Sequence, residues 1–364
     1  MQGLLQPALS RLLQAASATP LLKRACLPVA ALVLAGCTTV SLDQPRSGAP
    51  TIPAVESQQL QALRMITAQQ DRLYNVSAPL LVDNAALCKS SARKLIGFTA
   101  KTRYSYSEDY VDAATALGLD ERLQITGVLK NSGAARAGVQ RGDILVSVEN
   151  QPLPQGPNAE RQAAAQLGPL VNKLTSVKLG LLRKGTPVNV TVPLTSACGF
   201  GIELGNVDTV NAFADGRRVL LTRGMLNFTR NDTEVAYVLA RELAHNALGH
   251  PARQQMNATV GAIIDNLTRV TPDTTMFSGT AGVKPMPQEM DVAADTVALY
   301  MLARAGYNID GAASFWQRLS TQYPASVTNG YTAIHPSTQA RLAAIQKAVT
   351  EIKAKQAARK PLMP

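Results

Sequence analysis

Three side chains in the stretch VLARELAHNALGH, residues 238–250, have the types and spacing of a zinc-binding helix with one substitution. Arg241 and His245 are four residues apart, so on a helix they share one face, and Glu242 follows Arg241. With histidine at both positions this would be the H-E-x-x-H motif, in which two imidazoles hold zinc and the glutamate activates a water molecule. An arginine at the first position removes one of the two imidazoles.

The helix that must position these side chains is well marked in the sequence. Asn231 can cap its first turn, and Glu234 three residues later would complete a capping box. Val235, Leu239 and Leu243 then recur at intervals of four residues, which is the spacing of one helix face. We therefore predict a helix that carries the whole motif.

Two further segments could contribute to a site on this helix. DVAAD, residues 291–295, lies in a second predicted helix within residues 288–308. Before the motif, VNAFADGRRVLLTRGML indicates two strands joined by a turn at Asp215–Gly216. The Gly-, Pro- and Thr-rich residues 271–288 separate the two helices, and they are either a lid or plug over the cleft or a disordered loop.

The middle of the chain has a different pattern. An N-terminal helix is predicted from apolar spacing in residues 59–86, and short strands with small helices follow to about residue 194. The stretch SGAARAGVQRGDILVSVENQPL, residues 132–153, resembles a bacterial PDZ domain, a fold that binds extended peptides at a sheet edge. The resemblance implies a groove between the strand after Gly97–Phe98 and a helix at 158–174. The alternative is a spacer that orients the main domain.

The segments around the motif are similar to the HtpX-like gluzincin metallopeptidases, the family of the CAAX prenyl protease, and especially to exported members with a PDZ domain. RELAH aligns with H-E-x-x-H and DVAAD with the family's E-x-x-A-D. The resemblance implies an α+β fold, with a mainly helical zincin-type domain, a small edge-strand sheet and an inserted β-rich PDZ-like domain. The four matching segments are VNAFADG (210–216), RELAH (241–245), DVAAD (291–295) and HPSTQAR (335–341).

The resemblance also implies a role for each matching residue. Glu242 is expected to be the general base, and His335 is expected to stabilise the tetrahedral intermediate. His245 is expected to bind zinc, and Asp291 stands where the family has its ligating glutamate. The residues expected to support the ligands from behind are Asp295 and Arg341, and those of the substrate-pairing edge strand are Asn211, Ala212, Phe213 and Ala214.

The predicted zinc site is degenerate because two of its three ligand positions are altered. Asp291 can bind zinc, although it is one methylene shorter than glutamate. The guanidinium of Arg241 offers only donors and places a fixed positive charge where the dication would lie. His250 follows His245 by five residues, about 140° around a continuous helix, and is no substitute. We therefore expect zinc, the family's cofactor, to bind weakly or not at all.

A different arrangement suits these residue types. We predict that Arg241 takes the place of the metal as the cation, and that its guanidinium forks onto Asp291 and Glu242. Such a fork would neutralise carboxylates that have lost their zinc. The alternative is a solvated arginine–glutamate pair on a surface helix.

The cysteines carry information about compartment and domain organisation. The pattern LAGC ends at Cys37 and, after a basic and apolar leader, is typical of a bacterial lipoprotein signal; the alternative is an ordinary signal peptide that happens to contain a cysteine. By resemblance to Gram-negative lipoproteins, lipidation of Cys37 would anchor the chain in the outer membrane, facing the periplasm. Cys88 and Cys198 flank the PDZ-like block and predict a disulfide, the alternative being two independent buried thiols.

The formal net charge of +11 does not indicate nucleic acid in an exported protein, where solvated surface, anionic lipid headgroups or acidic envelope polymers account for it. We expect a lipoprotein on a metalloendopeptidase scaffold that is impaired in catalysis and binds unfolded or envelope polypeptides, with peptide tails at the PDZ-like domain; the alternative is an active zinc endopeptidase of envelope protein quality control. The predicted segments are a signal peptide (1–36), a tether (37–58), a discontinuous metallopeptidase-like domain (59–90 and 199–355), the PDZ-like domain (95–196) and a tail (356–364).

Overall fold

The computed structural model describes four parts of the chain: residues 56–254, 257–272, 286–323 and 339–364. About half of the described residues are helical and the rest include several sheets, so the predicted α+β fold class is confirmed. Among the described residues, none of the helices is both long enough and apolar enough to cross a bilayer. The predictions that lie outside the described residues are the signal peptide, lipidated Cys37, His335 and most of the segment 271–288.

The N-terminal helix predicted from the apolar spacing is present as α1, Gln58–Val82. The Ser57 side chain caps it by accepting a hydrogen bond from the backbone N–H of Leu60. Near its start, Leu63 packs with residues of the following segment, whereas Leu73 and Val76 further along belong to the large core formed mainly by the later helices. Helix α1 therefore contacts both halves of the molecule.

The segment after α1 is built mainly from strands. Five strands form a sheet in the order β2-β3-β4-β6-β7, with the short β5 paired to β4, and the separate pair β1–β8 is antiparallel. The elements are β1 (Ala92–Leu95), β2 (Phe98–Lys101), α2 (Val111–Ala116), β3 (Gln124–Val128), α3 (Gly133–Arg136), β4 (Ile144–Val148), β5 (Gln151–Pro152), α4 (Ala159–Lys173), β6 (Ser176–Arg183), β7 (Thr186–Pro193) and β8 (Thr195–Cys198).

The hairpin between β6 and β7 illustrates how the sequence specifies this sheet. Its turn falls at Lys184–Gly185, and both residues have positive φ, at 50° and 83°. Two consecutive positive φ values are characteristic of the type I′ turn, whose twist matches that of the strands it joins. The eight residue pairs between β6 and β7 follow in unbroken register.

A disulfide between Cys88 and Cys198 closes the base of this segment, as the sequence predicted. The Cα atoms of the two cysteines are 5.4 Å apart, and Cys198 also lies opposite Ala92 in the β1–β8 pair. Both cysteines are buried in the large core. The chain therefore enters and leaves the β-rich segment at one covalently fixed point.

The rest of the chain is mainly helical around a three-stranded sheet. The sheet order is β10-β11-β9, in which β10 and β11 are antiparallel and β11 and β9 are parallel. The elements are β9 (Gly201–Gly205), β10 (Ala212–Ala214), β11 (Arg218–Thr222), α5 (Arg223–Phe228), α6 (Asp232–Ala247), α7 (His250–Arg253), α8 (Asn257–Leu267), α9 (Gln288–Arg304), α10 (Ala312–Gln322) and α11 (Gln339–Ala357).

Helix α6 starts where the sequence predicts, but only half of the capping box is formed. The Asn231 side chain accepts a hydrogen bond from the backbone N–H of Glu234 at 3.0 Å. The Glu234 carboxylate accepts from the backbone N–H of Arg230 rather than from Asn231, and it binds both terminal nitrogens of Arg318. An ion pair with α10 has thus replaced the second half of the box.

Candidate functional site

The helix that carries the motif is buried on every side. All residues of α6 from Glu234 to Asn246 are buried, whereas the sequence pattern indicated one apolar face. A helix surrounded in this way lies in the interior of a domain rather than on its surface. Arg241 is 0% exposed, so the alternative of a solvated surface pair is wrong.

The guanidinium of Arg241 is held by three carboxylates from two helices. Nη1 donates to Oε1 of Glu242 at 2.8 Å, and Nη2 donates to Oδ1 of Asp291 at 2.7 Å. Nε lies 3.4 Å from Oδ1 of Asp295, one helical turn after Asp291 on α9. The predicted fork onto Asp291 and Glu242 is therefore present.

A second arginine pairs with the same cluster from α11. Arg341 binds Asp295 through two parallel hydrogen bonds, from Nε to Oδ2 at 2.6 Å and from Nη2 to Oδ1 at 2.9 Å. The indole of Trp316 lies beside both guanidinium groups, with ring-to-Cζ distances of 5.5 Å to Arg241 and 5.6 Å to Arg341. Sequence reasoning missed Trp316, although it is the chain's single tryptophan.

The two histidines of this region meet, although one continuous helix would place His250 about 140° away from His245. The helix instead ends at Ala247 with Leu248 as its C-cap, and Gly249 with a φ of 69° turns the chain into α7. His250 returns toward the motif, and its Nδ1 lies 3.0 Å from Nδ1 of His245. The signal for this break was Gly249, followed by Pro251 in the first turn of α7.

Both nitrogens of His245 face groups of the protein. Its Nδ1 forms a hydrogen bond with Nδ1 of His250, and its Nε2 lies 3.5 Å from Oδ1 of Asp291. Burial lowers the pKa of His250 to about 4, with help from the charges of Arg253 and Arg241, so this imidazole is neutral at pH 7. A proton on Nε2 of His245, facing the carboxylate, is the electrostatically favoured tautomer.

The carboxylates of the cluster have higher pKa values than solvent-exposed carboxylates. Burial raises the pKa of Glu242 to about 7, against the opposing effect of the Arg241 charge. Burial also raises the pKa of Asp291 to about 6, although Arg241 and Arg341 both act to lower it. The two arginines thus keep these carboxylates in the interior but do not fully compensate for their lost hydration.

The residues of this cluster do not fit a catalytic zinc ion. Such a site needs three protein ligands and an open position, and the Arg241 guanidinium has no lone pair to give. Both nitrogens of His245 and the nearest oxygen of Asp291 face protein groups. Among the described residues, no group of three or more His, Cys, Asp or Glu side chains could hold a metal ion.

The predicted substrate strand has an edge position but buried side chains. Strand β10 covers Ala212, Phe213 and Ala214, and all three are buried. Asn211 precedes the strand, although its backbone C=O still accepts a hydrogen bond from the N–H of Thr222. Phe213 packs in a small cluster with apolar residues of α8.

The groove predicted for the β-rich segment is present. Its volume is about 710 Å³, and its lining includes residues of β2 and α4. Gly97 precedes β2 with a φ of 100°, and a Cβ at this position would clash with Ser132 at 2.3 Å. Glycine is therefore required where the chain turns into the groove.

Two protein families match separate parts of the chain. Residues 192–349 match peptidase family M48, and residues 124–169 match the PDZ domain family. The first match contains every described residue of the arginine–carboxylate cluster, and the second contains β3, β4 and part of α4.

Three curated proteins illustrate the similarities. The beta-barrel assembly-enhancing protease of Yersinia pestis is 33% identical over 141 residues, covering 34% of this chain and 29% of the relative. The mitochondrial metalloendopeptidase OMA1 of Arabidopsis thaliana is 28% identical over 140 residues, covering 37% and 29%. The periplasmic pH-dependent serine endoprotease DegQ of Escherichia coli strain K12 is 35% identical over 117 residues, covering 30% and 25%. The chain thus spans less than a third of the length of each relative.

Proposed function

We propose that this chain, which carries a peptidase family M48 domain and a PDZ domain, binds polypeptides through a metal-free peptidase scaffold and does not cleave them. The observation that carries the proposal is the fork of Arg241 onto Glu242 and Asp291 at 2.8 and 2.7 Å. In this interpretation the guanidinium replaces the zinc ion both in position and as the source of positive charge.

The burial of Glu242 and its hydrogen bond with Arg241 support the proposed absence of catalysis. A general base must reach a water molecule, whereas Glu242 is 2% exposed and accepts a hydrogen bond from Arg241. The two remaining candidate ligands, His245 and Asp291, are also 2% exposed. A cleft that processes polypeptides must admit their backbone, and these side chains are packed as core.

The polypeptide ligands are proposed from the PDZ domain and from the named relatives. The PDZ fold binds extended peptides by strand addition, and the groove beside β2 has the form this requires. The relatives include a beta-barrel assembly-enhancing protease and a periplasmic endoprotease. We therefore propose unfolded or envelope polypeptides as ligands.

The compartment is proposed from the leader sequence. LAGC ends at Cys37, and lipidation there would attach the chain to the outer membrane, facing the periplasm. The disulfide between Cys88 and Cys198 supports an oxidising compartment. A Cys37→Ser variant should leave the membrane fraction and lose fatty-acid labelling.

The test of the scaffold compares the wild type with Arg241→His/Asp291→Glu. The wild type should contain no stoichiometric zinc by elemental analysis and should degrade casein no faster than a Glu242→Gln variant, while retaining casein in a pull-down. The double variant restores two ligand types and should bind zinc at least about a thousandfold more tightly than the wild type, or about 4 kcal/mol.

Two results would contradict the proposal. One is stoichiometric zinc in the wild type together with chelator-sensitive casein cleavage that Glu242→Gln abolishes. That result would establish an active zinc endopeptidase. The other is failure of the wild type to retain any unfolded polypeptide.

A further inference from the structure

Part of the groove lining belongs to the peptidase domain. Strand β9 is an edge strand of the three-stranded sheet, and Gly201, Ile202 and Glu203 line the groove. Strand β2 is likewise an edge strand, and Phe98 and Thr99 line the same groove. Two sheet edges from two domains therefore border one space.

The pairing of β9 shows which backbone groups face outward. Gly201 donates its N–H to the carbonyl of Arg217, so this residue and every second one after it are bonded to β11. Ile202 and Leu204 alternate with them and direct their N–H and C=O groups to the open edge. Their side chains are buried in the large core, which fixes the strand in place.

The lining of the groove is largely apolar. Helix α4 contributes Leu167 and Val171, and α1 contributes Leu81 and Tyr74. An apolar space between two open sheet edges suits an extended chain, because backbone groups can pair at the edges while alternate side chains contact the apolar lining.

Opposite charges stand at the two ends of this space. Arg93 and Lys94 precede β2, and both are exposed. The ammonium of Lys94 donates to the carbonyl of Leu174 at the end of α4, which places it at that end of the groove. Within the described part of the chain, neither cation forms a salt bridge with a carboxylate.

Glu203 lies at the other end of the groove. It also lines a neighbouring cavity of about 660 Å³ together with Lys101, the last residue of β2. The nearest cation to its carboxylate is Arg218, with an N–O distance of 3.6 Å, and the Glu203 side chain is 30% exposed. Burial raises the pKa of Glu203 despite Arg218, so its negative charge is incompletely compensated.

Building on the proposed polypeptide-binding function, we propose that both domains bind one extended polypeptide tail in this groove. The tail's terminal carboxylate lies near Arg93 and Lys94, its backbone pairs with β2 and with the outward groups of β9, and a basic side chain upstream reaches Glu203. The length of β2 sets the spacing, because four residues of strand span about 13 Å. The preferred ligand therefore has an apolar C-terminus and a lysine or arginine about four residues earlier.

The test uses fluorescein-labelled decapeptides and the full chain with its disulfide intact. The parent peptide has an apolar last residue, a free carboxylate and lysine four residues earlier; one matched peptide has glutamate in place of lysine, and another a C-terminal amide. By fluorescence anisotropy, the parent should bind about tenfold more tightly than either matched peptide. Glu203→Lys should reverse the preference between lysine and glutamate, and Glu203→Gln should remove it.

The matched control is Glu108→Lys, which makes the same charge change at an exposed position outside the groove lining. It should retain the wild-type preference. Amide exchange by NMR gives a second measurement. The N–H groups of Ile202 and Leu204 should become protected when the parent peptide binds, whereas those of Gly201 and Glu203, already bonded to β11, should change little.

The outcomes separate this inference from the function on which it rests. Amidation could weaken binding while the Glu203 variants keep the wild-type preference and the N–H of Ile202 stays unprotected. In that case the ligand binds to β2 and α4 alone, and the proposal of a shared groove is contradicted. If no decapeptide binds but casein is still retained without cleavage, the proposal of a shared binding groove is again contradicted, while the proposed function stands. If casein is cleaved or not retained, the proposed function itself fails.

Discussion

The arginine–carboxylate cluster and the interdomain groove differ in how their polar groups are satisfied. In the cluster, Arg241, Glu242 and Asp291 are at most 2% exposed and bind one another. In the groove, Arg93 and Lys94 are exposed, and the edge of β9 presents backbone groups. The first arrangement stabilises a fold, and the second is suited to receiving a ligand.

Under the proposed function, the cluster is a catalytic framework that has become a structural one. Buried carboxylates that would surround a dication need another positive charge once the metal is lost. Arg241 and Arg341 supply it, and Trp316 packs beside both guanidinium groups. Binding can then take place at a different surface without any change in the cluster.

The largest expected effect on stability comes from disrupting the arginine–carboxylate cluster. Arg241→Ala leaves Glu242 and Asp291 without their shared cation in the core, and should lower the free energy of unfolding by about 3–5 kcal/mol. Urea unfolding followed by Trp316 fluorescence measures this. Arg64→Ala, whose side chain is 58% exposed, is the control and should change stability by less than about 1 kcal/mol. Equal effects of the two substitutions would contradict a structural role for the cluster.

A smaller effect is expected from pH. Because the pKa of Glu242 is raised from 4.5 to about 7, the folded chain keeps this proton over a range in which the unfolded chain has lost it. Stability from this group is therefore greatest below about pH 4.5 and falls as the pH rises through about 7, by about 3 kcal/mol in all. Asp291, with its pKa raised to about 6, acts in the same direction.

The control for this prediction must remove the contribution of His250 to the pH dependence of stability. Its pKa is lowered from 6.5 to about 4, so its contribution is lost as the pH falls through that window, which is the opposite dependence. The measurement is therefore the difference in unfolding free energy between the wild type and Glu242→Gln at pH 5, 6, 7 and 8. The wild type should lose stability relative to the variant as the pH rises, and the opposite slope would show that the charge of Arg241 dominates over burial.

Local sequence signals predicted the parts of the molecule that local chemistry determines. Asn231 predicted the start of α6, and the residue types at 241 and 291 predicted an ion pair. Each follows from the conformational or charge properties of a few neighbouring residues.

The features that were missed depend on tertiary structure. The position of His250 follows from the helix break at Gly249, and the contact of Trp316 with both arginines follows from the packing of α10 beside α6 and α11. The shared groove needs the relative position of β9 and β2, which are about 100 residues apart in the chain. Spacing along a sequence contains no such information.

The smallest expected effect, from salt, distinguishes the two regions most directly. Charges in the groove are exposed or partly exposed, so mobile ions reach them, and the screening length shrinks from about 14 Å at 0.05 M salt to about 4 Å at 0.5 M. The affinity for the parent decapeptide should therefore fall by about three- to fivefold over this range, which is less than about 1 kcal/mol. The amidated peptide lacks the terminal charge, so its affinity should fall less.

The buried cluster excludes mobile ions, so the difference in unfolding free energy between the wild type and Arg241→Ala should stay constant over the same range of salt concentration. If that difference falls with salt as steeply as the peptide affinity, the cluster is open to solvent, and the contrast between a closed core and an open groove is wrong.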